Sequence, residues 1–229
     1  MGSTGKKKTS FYPPSVVSTL PKTVAEAVDR ISGWIGKINP HYKENHGSTV
    51  NCQRCVIAAE LAERGESFEA FVKRPGDKRT GFDKAFNFDP DDFDSYYVGA
   101  SDRGKLSAYP KASYGQHGKR YGWGYDNPNK ITSAKDIVKA MEKWGNGSRA
   151  VMHVFWKGRS SSHVVNVKNV NGTVIVYDGQ SGRVYSSLRE YLSTHAVSPR
   201  KTCLFRTDHL QRTLTDEELA AQRIVRRIK

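Results

Sequence analysis

The chain has 229 residues, enough for one large domain or two small ones, and 37% of them are hydrophobic. Its 37 basic residues exceed its 23 acidic residues by 14, a surplus that favours anionic partners (nucleic acid, acidic protein surfaces or anionic lipid) without choosing among them. Three cysteines are too few for a disulfide framework, no apolar run of about 18 residues predicts a membrane span, and the first residues lack the apolar segment of a secretory signal.

Residues 1–22 carry four lysines, no acid and the pair Pro13-Pro14. This composition predicts a flexible basic tail that can make nonspecific contact with nucleic acid. Residues 23–229 are predicted to form a single domain. Cytoplasmic synthesis without a signal peptide is expected, so any role outside the cell requires another route of delivery.

Two helices are predicted next. Thr23 and Glu26 form a capping-box pattern, and the helix that follows is predicted to run up to Asn39-Pro40. The second helix is predicted to begin at Cys52, with Asn51 as its N-cap and Gly65 at its C-terminal end. Its inward face is predicted to contain Cys55, Val56 and Ala59.

Residues 73–130 mix glycine, proline, charge and aromatic residues without a period. They are predicted to form long loops with short strands. A segment of this length in a compact domain is either a binding loop or lid over the site, or an insertion without a role.

Regular patterns return at Thr132, where a helix ending at Gly145 is predicted. Strands are predicted at 149–156, 162–170 and 172–180, and Asn171-Gly172 predicts a hairpin between the last two. A short helix at 186–195, a strand at 201–207 and a terminal helix over 215–229 complete the chain. Helices followed by an antiparallel sheet indicate the α+β class.

Three side chains suggest a catalytic site. At the first turn of a helix, free backbone N–H groups and the helix dipole stabilise a thiolate at Cys52, whereas Cys55 one turn later is expected to be core. Pairing through the predicted hairpin places 163–166 beside roughly 177–180, which brings His163 close to Asp178. Cysteine, histidine and aspartate in this arrangement supply a nucleophile, a base and an orienting carboxylate.

Each of the three residues also has a structural interpretation when taken singly. A buried cysteine is usually core, a histidine in a strand is usually structural, and an aspartate before glycine is usually a turn former. His153 is a competing base, but it lies in the middle of an apolar run, which predicts a core position.

A set of ordered motifs resembles a known family. They are Asn39-Pro40, Asn51-Cys52, Arg64-Gly65, His163-x-x-Asn166, Asn171-Gly172 and Asp178-x-Gln180-x-Gly182. Over roughly 36–66 and 145–192, the chain resembles the papain-fold toxin domain of bacterial polymorphic toxins and phage-associated proteins. The resemblance implies a papain-like fold, with N-terminal helices packed on an antiparallel sheet and residues 73–130 inserted.

The resemblance also implies a function and partners. Cys52 would be the nucleophile, His163 the base and Asp178 the orienting acid of a thiol hydrolase that needs no cofactor or metal. The expected activity is glutamine deamidation by a toxin or effector, or cleavage of a peptide bond, in each case through a thioester. The expected partners are a protein substrate, an immunity protein, and a toxin or virion carrier.

The chain departs from the papain-like pattern near the nucleophile. Papain-like proteases carry a glutamine a few residues before the cysteine, and none precedes Cys52 here. The backbone N–H of Cys52 supplies one candidate donor to an oxyanion. The candidates for a second or supporting group are Gln180, Gln53 and Asn51.

Three alternatives remain open at this point. Cys52-x-x-Cys55 is a redox pair in proteins where the motif follows a strand, but a polar loop precedes it here. A zinc site would need further ligands, and Cys203 with His209 has poor spacing. The chain can also be a basic nucleic-acid-binding or virion structural protein with an inactive papain-like fold, stacking bases on the aromatic residues of 109–125.

Overall fold

The computed structural model describes residues 20–77, 82–87, 93–99, 129–159 and 161–228. The basic tail through residue 19 and most of the predicted insert at 73–130, including its aromatic part at 109–125, lie outside the described residues. Within those ranges, no helix is both long enough and apolar enough to cross a membrane.

Among the described residues, a seven-stranded sheet forms the centre of the molecule. The central strands are β4 (Arg149–Phe155), β5 (Ser162–Val170) and β6 (Thr173–Asp178), flanked by β7 (Arg183–Tyr185) and β8 (Cys203–Arg206). Beyond β8 lie β2 (Tyr96–Gly99) and then β3 (Lys130–Ile131), so the strand order is β3-β2-β8-β4-β5-β6-β7 and the edge strands are β3 and β7. β2 and β3 pair in parallel, whereas the other neighbours pair antiparallel. The α+β prediction is confirmed.

The hairpin between β5 and β6 fixes the register of the site. Asn171 and Gly172 both adopt positive φ, 51° and 88°, which matches the right-handed twist of the two strands. Val170 pairs with Thr173 and Asn166 with Tyr177, so Asp178 comes level with Val165. His163 lies two residues beyond Val165, and since side chains alternate along a strand, it shares the sheet face of Asp178.

Helices cover both faces of the sheet. On one face, α1 (Val24–Ile35) and α2 (Cys52–Glu63) pack Ile31, Ile57 and Leu61 into a core with alternate residues of the strands. On the other face, α3 (Ala134–Trp144) and α4 (Leu188–Thr194) pack their apolar residues against Met152, Val165 and Val176. The alternation within β5 therefore sends successive side chains into two separate cores.

A buried ion-pair network joins α2 to the sheet. Glu60 lies 2.7 Å from Arg149 of β4 and 2.9 Å from Arg64, and it accepts a 2.9 Å hydrogen bond from Thr207 Oγ1. Burial alone would raise the pKa of Glu60, but the two guanidinium groups and the threonine hydroxyl hold it below its usual range. This contact fixes the position of the helix that begins at Cys52.

The C-terminal segment differs from its prediction. The helix expected over 215–229 is α5, which covers only Asp216–Ala221 and is followed by Arg223 at φ 54°. Val225–Arg227 then form strand β9, which pairs antiparallel with β1 (Phe68–Ala70). The β-branched pair Ile224 and Val225 is fully buried in this arrangement, and the backbone of β1 gains a partner.

The first helix also ends earlier than predicted, at Ile35 rather than near Asn39-Pro40. Ile38 and Asn39 lie in the turn that follows, and both are buried. This turn carries Asn39 into the candidate site.

Candidate active site

Cys52 is the first residue of α2 and is partly exposed. Asn51 occupies the predicted N-cap position, but its side chain makes no capping hydrogen bond. The side chain of Gln180 takes that place. One of its amide atoms lies 2.9 Å from the backbone N of Cys52 and 3.0 Å from that of Asn51, and because both are donors, this atom is the oxygen. Gln180, from the turn after β6, therefore caps α2.

Asp178 is held as a carboxylate at the end of β6. It accepts hydrogen bonds from His163 Nε2 at 3.1 Å, from Ser181 Oγ at 2.7 Å and from the backbone N–H of Gln180 at 2.9 Å. Burial works to raise the pKa of Asp178, but the charge of His163 and these hydrogen bonds lower it. The carboxylate is thus fixed in one orientation against the imidazole.

His163 lies between Asp178 and Cys52. Because its Nε2 is hydrogen-bonded to Asp178, its Nδ1 is the nitrogen that serves the side-chain hydrogen bond to Cys52. Burial disfavours the imidazolium, but the Asp178 carboxylate and then the Cys52 sulfur outweigh it and raise the pKa of His163 to about 10. The predicted trio of Cys52, His163 and Asp178 comes together in the structure.

An amide network holds the three segments of the site in register. Asn39 Nδ2 donates to the carbonyl oxygens of Ser48 at 2.9 Å and Gln180 at 2.8 Å, and Asn39 Oδ1 accepts from Asn51 Nδ2 at 3.1 Å. Asn39 therefore links the loop before α2, the start of α2 and the turn after β6. The sequence indicated this residue only through the Asn39-Pro40 motif, without assigning it to the site.

Gly179 lies where the turn after β6 approaches α2 most closely. A Cβ at this position would come within 3.1 Å of the Cys55 carbonyl oxygen and 3.1 Å of Ile38 Cγ2. A side chain here would have to push these neighbours aside, and glycine permits the close approach that brings Asp178 and Gln180 to the helix that carries Cys52.

An aromatic group covers His163 on the side of the sheet that carries α4. The Trp156 ring stacks on the imidazole with a centroid distance of 6.2 Å and an interplanar angle of 18°, and it also contacts His195 at 5.5 Å. His195 Nε2 is 2.9 Å from the Tyr185 hydroxyl, and burial lowers the pKa of His195. Trp156, which directly follows the strand that ends at Phe155, was not among the predicted site residues.

The other candidate residues lie around this centre. Cys55 is fully buried, and burial followed by the nearby negative charges raises its pKa well above the usual range. Its Sγ lies 3.5 Å from Asn51 Oδ1. Gln53 is partly exposed on the first turn of α2, and His153 is buried in β4 with its ring 4.6 Å from that of Phe155.

The groups considered for a metal site have other surroundings in the structure. Cys203 is buried in the core, and His209 Nε2 lies 3.4 Å from Ser95 Oγ. In the part of the chain that the structure describes, no three histidine, cysteine, aspartate or glutamate side chains gather in a way that could hold a metal ion.

The arrangement suits acyl transfer, because a thiol, an imidazole and a carboxylate are connected in series at a helix N-terminus. A family model described as papain fold toxin 1, glutamine deamidase, matches residues 50–183, which is more than half of the chain and includes Cys52, His163 and Asp178. No curated protein matches the chain.

Proposed function

This chain belongs to the papain fold toxin 1 family of glutamine deamidases, and we propose that it hydrolyses the side-chain carboxamide of glutamine in a protein substrate. Cys52 acts as the nucleophile, His163 as the acid and base, and Asp178 as the group that orients His163. The observation that carries the proposal is the 3.1 Å bond from His163 Nε2 to Asp178, which presents the other imidazole nitrogen to Cys52.

The imidazole of His163 is a cation in the resting state. Since the pKa of His163 is raised to about 10, the imidazole is protonated at neutral pH, and its positive charge lies beside the sulfur that attacks the substrate. The N-terminus of α2 adds its dipole in the same direction. Trp156 stacks on the imidazole and adds to its burial.

In the first half of the reaction, the Cys52 thiolate attacks the carboxamide carbon, and the carbonyl electron pair moves to the oxygen. The imidazolium of His163 then gives its proton to the amide nitrogen. The C–N bond breaks and ammonia leaves, so that a thioester of the substrate with Cys52 and a neutral His163 remain.

In the second half, a water molecule attacks the thioester carbon while His163 takes its proton. The C–S bond breaks, the thiolate of Cys52 re-forms beside the imidazolium, and the substrate carries glutamate in place of glutamine. The sum is one carboxamide and one water converted to one carboxylic acid and one ammonia.

Stabilisation of the oxyanion involves Gln180. The backbone N–H of Cys52, the candidate donor, already binds the Gln180 oxygen in the structure. A substrate oxygen that uses this donor therefore exchanges with Gln180, and Gln180 maintains the cap of α2 when no substrate is bound. Gln53, partly exposed one residue later, is the proposed second donor, and Asn51 supports the helix start through Asn39.

The toxin or effector context forms part of the proposal. The papain fold toxin family supports a role in attack on a target cell. An immunity protein and a toxin or virion carrier are the proposed partners, and residues 23–229 form the proposed catalytic domain. The rival function, nucleic-acid binding, depended mainly on segments that lie outside the described residues.

The basic end of the chain does not favour that rival in its described part. Arg212 and Arg227 both pair with Glu66 and Asp216, and Arg226 pairs with Glu69. These carboxylates compete with phosphate for the same guanidinium groups. Affinity for nucleic acid that falls steeply with salt, without any deamidation, would instead support the rival.

Intact-mass measurement tests the proposed reaction. Candidate protein substrates incubated with the enzyme should gain about one dalton for each glutamine converted, whereas peptide-bond cleavage would break the chain. Cys52→Ser should abolish the mass gain, and Cys55→Ser, a matched change at the buried thiol, should retain it. Iodoacetamide at neutral pH should label Cys52 before Cys55. Turnover by Cys52→Ser, or preferential labelling of Cys55, would overturn the assignment.

A further inference from the structure

A groove of about 600 Å³ lies between α3 and α4, outside the residues of the candidate active site. Each helix contributes two apolar residues to its floor and two polar residues to its rim. The floor consists of Ala134, Val138, Leu188 and Leu192, and the rim consists of Lys135, Lys139, Arg189 and Ser193.

The floor is an apolar strip that continues the core. Ala134 and Val138 are four residues apart on α3, and Leu188 and Leu192 are four apart on α4, so each pair occupies one face of its helix. These four side chains pack against the core between the sheet and the helices α3 and α4, and they also line the open groove. Two rows of apolar side chains at helical spacing, one from each helix, provide the form of a site for a third helix.

The rim is positively charged and not neutralised. Lys135, Lys139 and Arg189 are exposed, and none of these side chains forms an ion pair or a hydrogen bond with another described residue. The neighbouring acids are engaged in helix capping. Asp136 accepts from the backbone N–H groups of Thr132 and Ser133, and Glu190 accepts from that of Ser186.

We propose that this groove docks an acidic amphipathic helix of a partner protein. The partner would place apolar side chains at i and i+3 or i+4 spacing on the floor, and carboxylates on its flanks against the three basic residues of the rim. The chain's own residues 1–19 are excluded by charge, because they carry three lysines and no acid.

The test uses the full chain with Cys52→Ala, so that binding is measured apart from catalysis. The probe is a fluorescein-labelled 16-residue helical peptide with leucine at i, i+3, i+4 and i+7 and glutamate on both flanks, titrated by fluorescence anisotropy. Saturable binding is expected. The triple variant Lys135→Glu, Lys139→Glu, Arg189→Glu should weaken it at least about tenfold, because three attractive contacts become repulsive.

Two controls separate groove binding from general attraction to a basic protein. A second triple variant, with Lys37→Glu, Lys84→Glu and Lys201→Glu, makes the same charge change at exposed lysines elsewhere and should retain binding. A peptide with serine in place of leucine should bind at least tenfold more weakly. Equal loss in both triple variants, equal binding of the serine peptide, or no binding up to about 1 mM would overturn the proposal.

Discussion

Gln180 offers the sharpest test of how the site is held. In Gln180→Leu, the backbone N–H groups of Asn51 and Cys52 lose the oxygen that lies 3.0 Å and 2.9 Å away. A buried donor without a partner costs about 1–3 kcal/mol, and removal of a helix cap costs about 0.5–2 kcal/mol. Since one oxygen serves both donors, we expect the free energy of unfolding to fall by about 2 kcal/mol in total.

Gln180→Glu separates the capping of α2 from the effect of residue 180 on the oxyanion. Glutamate keeps an oxygen for the two N–H groups and adds negative charge at the helix N-terminus, so it should lose less stability than leucine. Its negative charge lies at the Cys52 N–H that the substrate oxygen is proposed to use, so it opposes an oxyanion there. We therefore expect Gln180→Glu to be folded and its kcat to fall by about a hundredfold or more.

Stability is measured by urea denaturation, followed through tryptophan fluorescence. The value of kcat is measured as ammonia release from a protein that the wild-type enzyme deamidates. Gln222→Leu, at an exposed glutamine after α5, is the matched control and should unfold as the wild type does. An unchanged midpoint in Gln180→Leu would show that its amide does not cap α2. Glutamate and leucine variants of equal stability would refute the acceptor role.

Three further predictions concern the same centre. His163 has a pKa of about 10 in the folded protein against an ordinary value of 6.5, so its contribution to stability is complete below about pH 6.5 and is lost as pH rises toward 10. Urea titrations of the wild type at pH 6, 8 and 10 should show this loss of stability. An equal loss in His163→Gln would contradict the prediction. Asp178→Asn should stay folded, because asparagine keeps an acceptor oxygen, but kcat should fall by about a hundredfold or more as the imidazole loses its orientation. Unchanged kinetics would remove Asp178 from the mechanism. Gly179→Ala should lower the free energy of unfolding by about 1–3 kcal/mol, because its Cβ would lie 3.1 Å from the Cys55 carbonyl oxygen. The control Gly33→Ala in α1, whose Cβ would have nothing within 4 Å, should raise the free energy of unfolding by up to about 1 kcal/mol. Similar urea midpoints for the two alanine variants would show that the close approach is not rigid.

The sequence alone was sufficient for the local parts of the site. Asn171-Gly172 predicts a two-residue hairpin, and in the structure that turn sets the register that places His163 and Asp178 on one face. The helix start at Cys52 and the buried position of Cys55 follow in the same way from the pattern of the second helix. Such features depend on residues close in the chain, whose conformational preferences are readable without the rest of the fold.

Only the tertiary structure decided how these parts meet. The cap of α2 is supplied by Gln180 from the turn after β6, while Asn51 itself makes none, and the Glu60–Arg149 pair that fixes α2 spans 89 residues. The terminal segment likewise becomes a strand because β1, far away in the sequence, provides its partner. Helix propensity at the end of the chain is worth a few tenths of a kcal/mol for each residue, whereas burial of Ile224 and Val225 contributes about 1.5–3 kcal/mol for each side chain, so the long-range packing prevails over the local pattern.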